Sequence, residues 1–374
     1  MGSISRRFSW SVSALLCSAS LAAVTSAAFA QADAKPAPAA APQEEDAVTK
    51  FEKSPWILAP LFQSNPKLGT SVGALAGYMH FFDEKSRPSI FAVQAQYSNT
   101  GSVIAGAMAK ASWDEDHQRV ISGLMYGNVK NDYDDYLGSG VPLRNEAELK
   151  SFIARYTYRV SGNWFIGGQG IYQNFAIAGQ SEFDTMVLDT LGLVPYKSGG
   201  AGLVVQNDSR DNENMPTKGG LLNLNNMAFR ESLGGDFDYE VYRLELRYFI
   251  PNGNGNVFAI RQLNHLTSDA PQAALAPVQL RGYKVGQYTG KYMSSIEGEE
   301  RFRLAEKWTA TLFAGMACLY GDGKTCSENR NLFAAAGAGV QYVLKPKEGI
   351  VLNLEYAAGE SGNYGVYLKM GYAF

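Results

Sequence analysis

Residues able to do chemistry are few and scattered. Histidine occurs only at His80, His117 and His265. His265 precedes Asp269 closely enough to allow a hydrolase dyad facing outward, although a histidine so placed is more often a rim or lumen residue. Gly69-Thr70-Ser71-Val72-Gly73 matches the G-x-S-x-G elbow in letters. That motif works at a strand-to-helix turn, and here it opens a strand after Asn65-Pro66-Lys67, so the match is one of chance. Asp208, Asp211, Asn212, Glu213 and Asn214 resemble a calcium loop in composition but lack the alternating acids and central glycine of an EF-hand. These acids, with Arg210 and Lys218, are expected to tie a turn to its surroundings. No spacing points to a metal, thiol or nucleotide site. The expectation is therefore no catalytic residue, no metal and no cofactor.

The remaining charge falls on alternate positions. Phe152, Ala154, Tyr156, Tyr158 and Val160 oppose Arg155, Thr157 and Arg159. Tyr242, Leu244, Leu246, Tyr248 and Ile250 oppose Arg243, Glu245 and Arg247. Glu297, Glu299, Arg301 and Arg303 share a parity, and Ile350, Leu352, Leu354 and Tyr356 oppose Asn353 and Glu355. Period-2 alternation of this kind marks strands, and no stretch from Trp56 onward keeps a helical period. A soluble sandwich would also alternate, but packed Arg and Glu opposite a face ending in aromatics fits lipid outside and a wet or ion-paired lumen inside.

The chain has 374 residues, 46% hydrophobic and 18% charged, with 39 Gly, 21 Tyr and 19 Phe. Only Trp10–Ala30 is apolar enough to resemble a membrane helix, which excludes a polytopic helical transporter. With 33 basic against 36 acidic residues and no basic run, nucleic-acid binding has no footing. Arg6 and Arg7, the apolar Trp10–Ala23 and Ala28-Phe29-Ala30 read as a secretory signal peptide over 1–30. Residues 31–55, rich in Ala and Pro, read as a flexible periplasmic linker. Residues 56–374 are expected to form the barrel.

Turn signals place strands near 56–63, 69–82, 88–99, 101–113, 118–131, 148–160, 163–178, 197–207, 219–232, 237–250, 255–265, 294–305, 307–320, 331–344, 348–358 and 363–374. The fold class expected is all-β: a sixteen-stranded antiparallel transmembrane barrel with an inward-folded extracellular loop. Short turns such as 83–87, 161–163, 252–256 and 345–348 then face the periplasm, and the longer loops 132–147, 179–196, 266–293 and 321–330 face outward. Cys318 and Cys326 flank Gly321-Asp322-Gly323 in an oxidising compartment. A disulfide and two separate thiols are both open. Pro60 in the first strand, with Gly365, Gly371 and the terminal Phe374 in the last, marks a seam, because Pro lacks an amide donor and is tolerated mainly at strand edges.

Three motifs go further. Gln279-Leu280-Arg281-Gly282-Tyr283 lies in the longest loop. Asp208-Ser209-Arg210-Asp211-Asn212 with Pro216-Thr217-Lys218-Gly219 forms the turn between strands eight and nine. Glu299-Glu300-Arg301-Phe302 lies on strand twelve. With sixteen strands and a terminal aromatic, residues 56–374 resemble the barrel domain of the BamA/TamA superfamily, the bacterial surface antigen family, which also includes two-partner secretion translocators. An Arg on a loop folded into a lumen needs a carboxylate, and its planar fork binds one in bidentate fashion. Glu299, then Glu297, are the expected partners, with Gly282 allowing a close turn and Tyr283 packing on the wall. The resemblance implies the same loop lock and a first-to-last-strand junction able to open sideways. Two departures stand out. Phe313-Ala314-Gly315 lacks the acid common on strand thirteen, so the lock is expected to rely on strand twelve. Between Ala30 and Trp56 there is no room for periplasmic docking domains.

The functional expectation is a non-enzymatic barrel of the bacterial outer membrane that inserts or translocates polypeptide, or lipid, through lumen or seam. Its partners would be outer-membrane lipid, the barrel assembly machinery during biogenesis, and an unidentified polypeptide cargo or periplasmic partner. A passive pore or structural barrel is the alternative, and an outer-membrane hydrolase a second.

Overall fold

An extended chain points successive side chains to opposite faces, so a polar row along one face must find polar company or water. Closing the sheet on itself meets that demand and leaves no edge amides in lipid. The computed structural model describes residues 54–65, 69–133, 142–190, 193 and 195–370. The expected signal peptide, most of the linker, Gly371 and Phe374 lie outside the described residues.

Sixteen antiparallel strands close into one barrel, each paired with its sequence neighbours. They are β1 (Trp56–Asn65), β2 (Gly69–His80), β3 (Ser89–Ser98), β4 (Val103–Trp113), β5 (Gln118–Tyr133) and β6 (Leu143–Ser161). Next come β7 (Trp164–Gly179), β8 (Tyr196–Asp208), β9 (Gly219–Phe229), β10 (Tyr239–Pro251) and β11 (Val257–Ser268). The last five are β12 (Tyr292–Arg303), β13 (Trp308–Tyr320), β14 (Leu332–Lys345), β15 (Ile350–Gly359) and β16 (Tyr364–Met370). The long loop between β11 and β12 carries a further two-residue ladder, Ala276–Pro277 against Thr289–Gly290.

The alternation is realised as lipid-facing and inward-facing rows. Leu203 is 69% exposed while the adjacent Val204 is fully buried. Exposed Trp56, Tyr158, Trp164, Tyr248 and Trp308 lie toward the short-turn end, and exposed Tyr97, Tyr172, Tyr242 and Tyr364 toward the loop end. Two aromatic girdles around an apolar band are the arrangement that a bilayer selects. Inward, Glu297, Glu299, Arg301 and Glu355 are all buried.

Two parts of the outward loops depart from expectation. β6 begins at Leu143, five residues earlier than the alternation indicated, because it keeps pairing with β5 out to Leu143 and Tyr133. The 179–196 loop contains a helix, α1 (Glu182–Thr190). Its start carries a signal that period counting misses: the Ser181 hydroxyl accepts the Asp184 amide at 3.1 Å, in the Ser-x-x-acid form of a capping box. Cys318 of β13 and Cys326 of the following loop are joined as a disulfide, with Cα atoms 5.6 Å apart.

Leu203→Arg, on the lipid face near the middle of β8, should lower folding stability in lipid vesicles by about 2–4 kcal/mol. Denaturant titration of the vesicle-inserted protein checks it, and a change within error would mean that this face is not in hydrocarbon.

Candidate functional site

The β11–β12 loop makes its contacts with inward-facing side chains of the wall. Val278, Leu280, Tyr283 and Tyr288 of the loop are buried with Leu263, Met293 and Phe333 in one apolar cluster. Gly282 has φ +92°, and a Cβ there would lie 3.2 Å from backbone atoms of Ala358 and Gly359. Only glycine combines that conformation with so close an approach to β15. Tyr283 donates its hydroxyl to the Ala334 carbonyl at 2.8 Å and accepts the Glu360 amide at 3.0 Å. Its ring fills the space that a side chain at Gly359 would need. Farther along, Lys284 donates to the Asp132 carbonyl at 3.3 Å, so the loop reaches from β14 and β15 to β5.

Arg281 lies between these anchors, its side chain 8% exposed. Its guanidinium meets Glu299 at 2.6 Å, Glu355 at 3.1 Å and Glu297 at 3.6 Å. Phe313 stacks on it, with the ring centroid 3.4 Å from Cζ. A cation so far from water requires this company, since a buried charge left alone is far costlier than one paired and hydrogen-bonded. The acids are balanced in turn: Arg301 contacts Glu299 at 2.8 Å and Lys369 contacts Glu355 at 3.2 Å.

The expectation that strand twelve alone supplies the acids is corrected here. Glu355 on β15 is a direct partner of Arg281, and its only sequence signal was a place on the polar face of a late strand. The missing acid of strand thirteen also has a physical account. A Cβ at Gly315 would lie 2.4 Å from Glu297 Cγ, so Glu297 occupies the space that a residue-315 side chain would take.

The β8–β9 turn crosses the opposite mouth. Asp208 is gripped by Arg87 at 2.7 Å, Arg119 at 3.2 Å and Arg210 at 2.8 Å. Lys110 of β4 reaches Glu213 at 2.7 Å. On the far side, Arg301 donates to the Pro216 carbonyl at 3.2 Å, and Asn214 donates to the Glu348 carbonyl at 3.0 Å. Asp211 organises the turn itself, accepting the amides of Asn212, Thr217 and Lys218. Gly219, at φ +89°, would bring a Cβ 2.2 Å from the Ser209 carbonyl oxygen. Burial favours the neutral acid at Glu213, but Lys110, Arg87 and Arg210 outweigh it and hold the carboxyl down at about 2.

Among the described residues, β1 and β16 pair only through Phe62 with Leu368, Gln63 with Tyr367 and Ser64 with Val366. By contrast, β1 pairs with β2 along its whole length from Trp56 to Asn65. Pro60 lies in the part of β1 beyond the junction, and Tyr367 packs over Gly365. His265 does not meet Asp269: it is an inward residue, 9% exposed, in register with Arg243. Among the described residues, no group of His, Cys, Asp and Glu is arranged to hold a metal.

No family model matches the chain, and no curated protein matches it. Solved structures do. A BamA structure from Haemophilus ducreyi lacking POTRA domains 1–3 matches with TM-score 0.56 and 12% identity, over 85% of this chain and 70% of that one. CdiB from Acinetobacter baumannii matches at 0.56 and 9% identity, and CdiB from Escherichia coli at 0.55 and 11%. The chain spans 60% and 63% of the length of these two CdiB structures. The shared feature is the fold, a closed barrel like the BamA barrel domain.

Arg281→Ala should make the 272–290 loop cleavable by externally added protease while the barrel keeps its heat-modifiable migration. Removing one partner of a desolvated pair costs about 3–5 kcal/mol, and that loss falls on the loop while the strand ladders stay intact. Loop cleavage no faster than in the wild type would mean that Arg281 does not hold the loop.

Acid should loosen the turn. A carboxyl depressed from about 4.3 when unfolded stabilises the fold fully above that pH and progressively less as pH falls toward about 2. Lowering the pH from 5 to 3 should therefore reduce hydrogen-exchange protection in residues 209–218, taken relative to the free-peptide rate at each pH, more in the wild type than in Glu213→Gln. An equal loss of protection in both would rule out Glu213 as the group responsible.

Proposed function

We propose that the chain is an outer-membrane barrel that inserts or translocates polypeptide, or lipid, through the seam between β1 and β16. The observation that carries this reading is that, among the described residues, β1 and β16 share three register pairs, Phe62–Ser64 against Val366–Leu368, fewer than any other neighbouring strands of the barrel. Separating strands in hydrocarbon costs several kcal/mol per unsatisfied backbone group. The seam is therefore where sideways opening costs least. The likeness in fold to BamA and CdiB supports placing the barrel in the outer membrane of a bacterium.

The interior favours seam over bore. A loop anchored on β14, β15 and β5 crosses one end, and the Asp208–Gly219 turn crosses the other. A wide passive pore would leave that space open. In this reading the loop lock keeps the wall rigid beside the seam, since Glu355 and Tyr283 tie the loop to β15 and its junction with β16. In this reading the barrel moves material and does no chemistry, and the outward dyad of the hydrolase alternative is not formed, since His265 faces inward. A periplasmic partner supplies the cargo.

Ser64→Cys with Val366→Cys, a register pair, tests the proposal in cells. Oxidation should lock the seam, disturb outer-membrane protein or lipid composition as deletion does, and leave the barrel folded, with reduction restoring function. Full function in the locked form would remove the seam from the mechanism.

A further inference from the structure

Between the loop and the turn lies a cavity of about 480 Å³ in the barrel interior, within the range of small-molecule sites. One part is apolar, formed by Met227, Phe229 and Tyr239, with Ala274 and Leu275 of the loop above. The other part is basic. Arg155 spends its contacts on neutral amides, Gln169 at 2.6 and 3.0 Å and Asn223 at 3.5 Å. Arg243 donates to the Gln279 amide oxygen at 3.2 Å and hydrogen-bonds no carboxylate among the described residues. The one carboxylate lining this space, Glu245, is already held by Arg247 and Arg261, each at 2.8 Å. The two guanidiniums that line the cavity, Arg155 and Arg243, thus hydrogen-bond only to amides among the described residues.

An independent observation comes from His265, which lines the same cavity. It is 9% exposed, and neither ring nitrogen has a hydrogen-bond partner among the described residues. A buried donor left unmet carries its full desolvation cost, so such groups in native proteins ordinarily meet something. The missing species must satisfy two under-neutralised guanidiniums and one imidazole N–H, and fit an apolar recess beside them.

We propose that this cavity binds a small amphipathic oxyanion, a phosphate or carboxylate on a short apolar body. Arg155 and Arg243 hold the charge, and His265 donates its ring N–H. Gln279, two residues before Arg281, links the occupant to the loop lock through Arg243. The volume suits a molecule of drug size rather than a two-chain lipid.

Isothermal calorimetry of the full chain in detergent tests the proposal, with hexyl phosphate, inorganic phosphate and hexanol as probes. Hexyl phosphate should bind saturably, at one per chain and at least tenfold tighter than either of the others. Arg155→Gln and Arg243→Gln, each checked for heat-modifiable folding, should weaken binding at least tenfold, and Arg243→Lys less. Charge-assisted contacts of this kind account for a loss of that size. Absence of saturable binding would overturn the site, as would equal binding of hexanol or an unchanged affinity in the Arg155→Gln, Arg243→Gln double variant. If the arginine variants fail to fold, the wild-type comparison of hexyl phosphate with hexanol decides alone.

Discussion

Backbone amides in hydrocarbon have no water to turn to, and this constraint organises the rest of the molecule. Strands must pair on both sides, so the sheet closes and every residue becomes either lipid-facing or inward-facing. Polar side chains then have one place to go. The Arg and Glu rows of β6, β10 and β12 are thereby concentrated in the bore, where each charge needs an opposite one within reach.

The bore is partitioned by how that need is met. Around Arg281, three buried acids are balanced by Arg281, Arg301 and Lys369. Glycine makes this packing feasible: Gly315 yields its space to Glu297, and Gly337 yields to Phe313. At the turn end, Asp208 and Glu213 draw cations from the β2–β3 turn, β4 and β5, closing the mouth by electrostatics. Between them, the wall around Arg155 and Arg243 is left positive. The interior is therefore two neutralised fillings from opposite ends with an under-neutralised chamber between them.

Filling the bore has a consequence for the wall. Cross-links from loop and turn stiffen β4, β5, β12, β14 and β15, whereas β1 and β16 are held together by three register pairs among the described residues. Rigidity and weakness are thus adjacent, with β15 carrying Glu355 of the lock and pairing directly with β16. In the proposed mechanism this arrangement concentrates opening at one junction rather than spreading it around the barrel.

Strand number, strand order and most strand limits were legible in the chain because alternation reports the inside and outside of a closed sheet at every second residue. Glu299 was legible as a partner of Arg281, since it lies on the next strand with inward parity. Other features were beyond local reading. Glu355 is 74 residues from Arg281 and becomes its partner only when closure brings β15 round to the loop. A lumenal His265 was open to the sequence, but that it faces Arg243 there rather than Asp269 follows only from the strand register. The sequence by itself determined which residues face lipid, because that is set by a period of two along each strand. Which charges meet, which mouth each segment closes and where the wall is thin were decided by the tertiary structure, since these depend on the curvature that joins distant strands around a common interior.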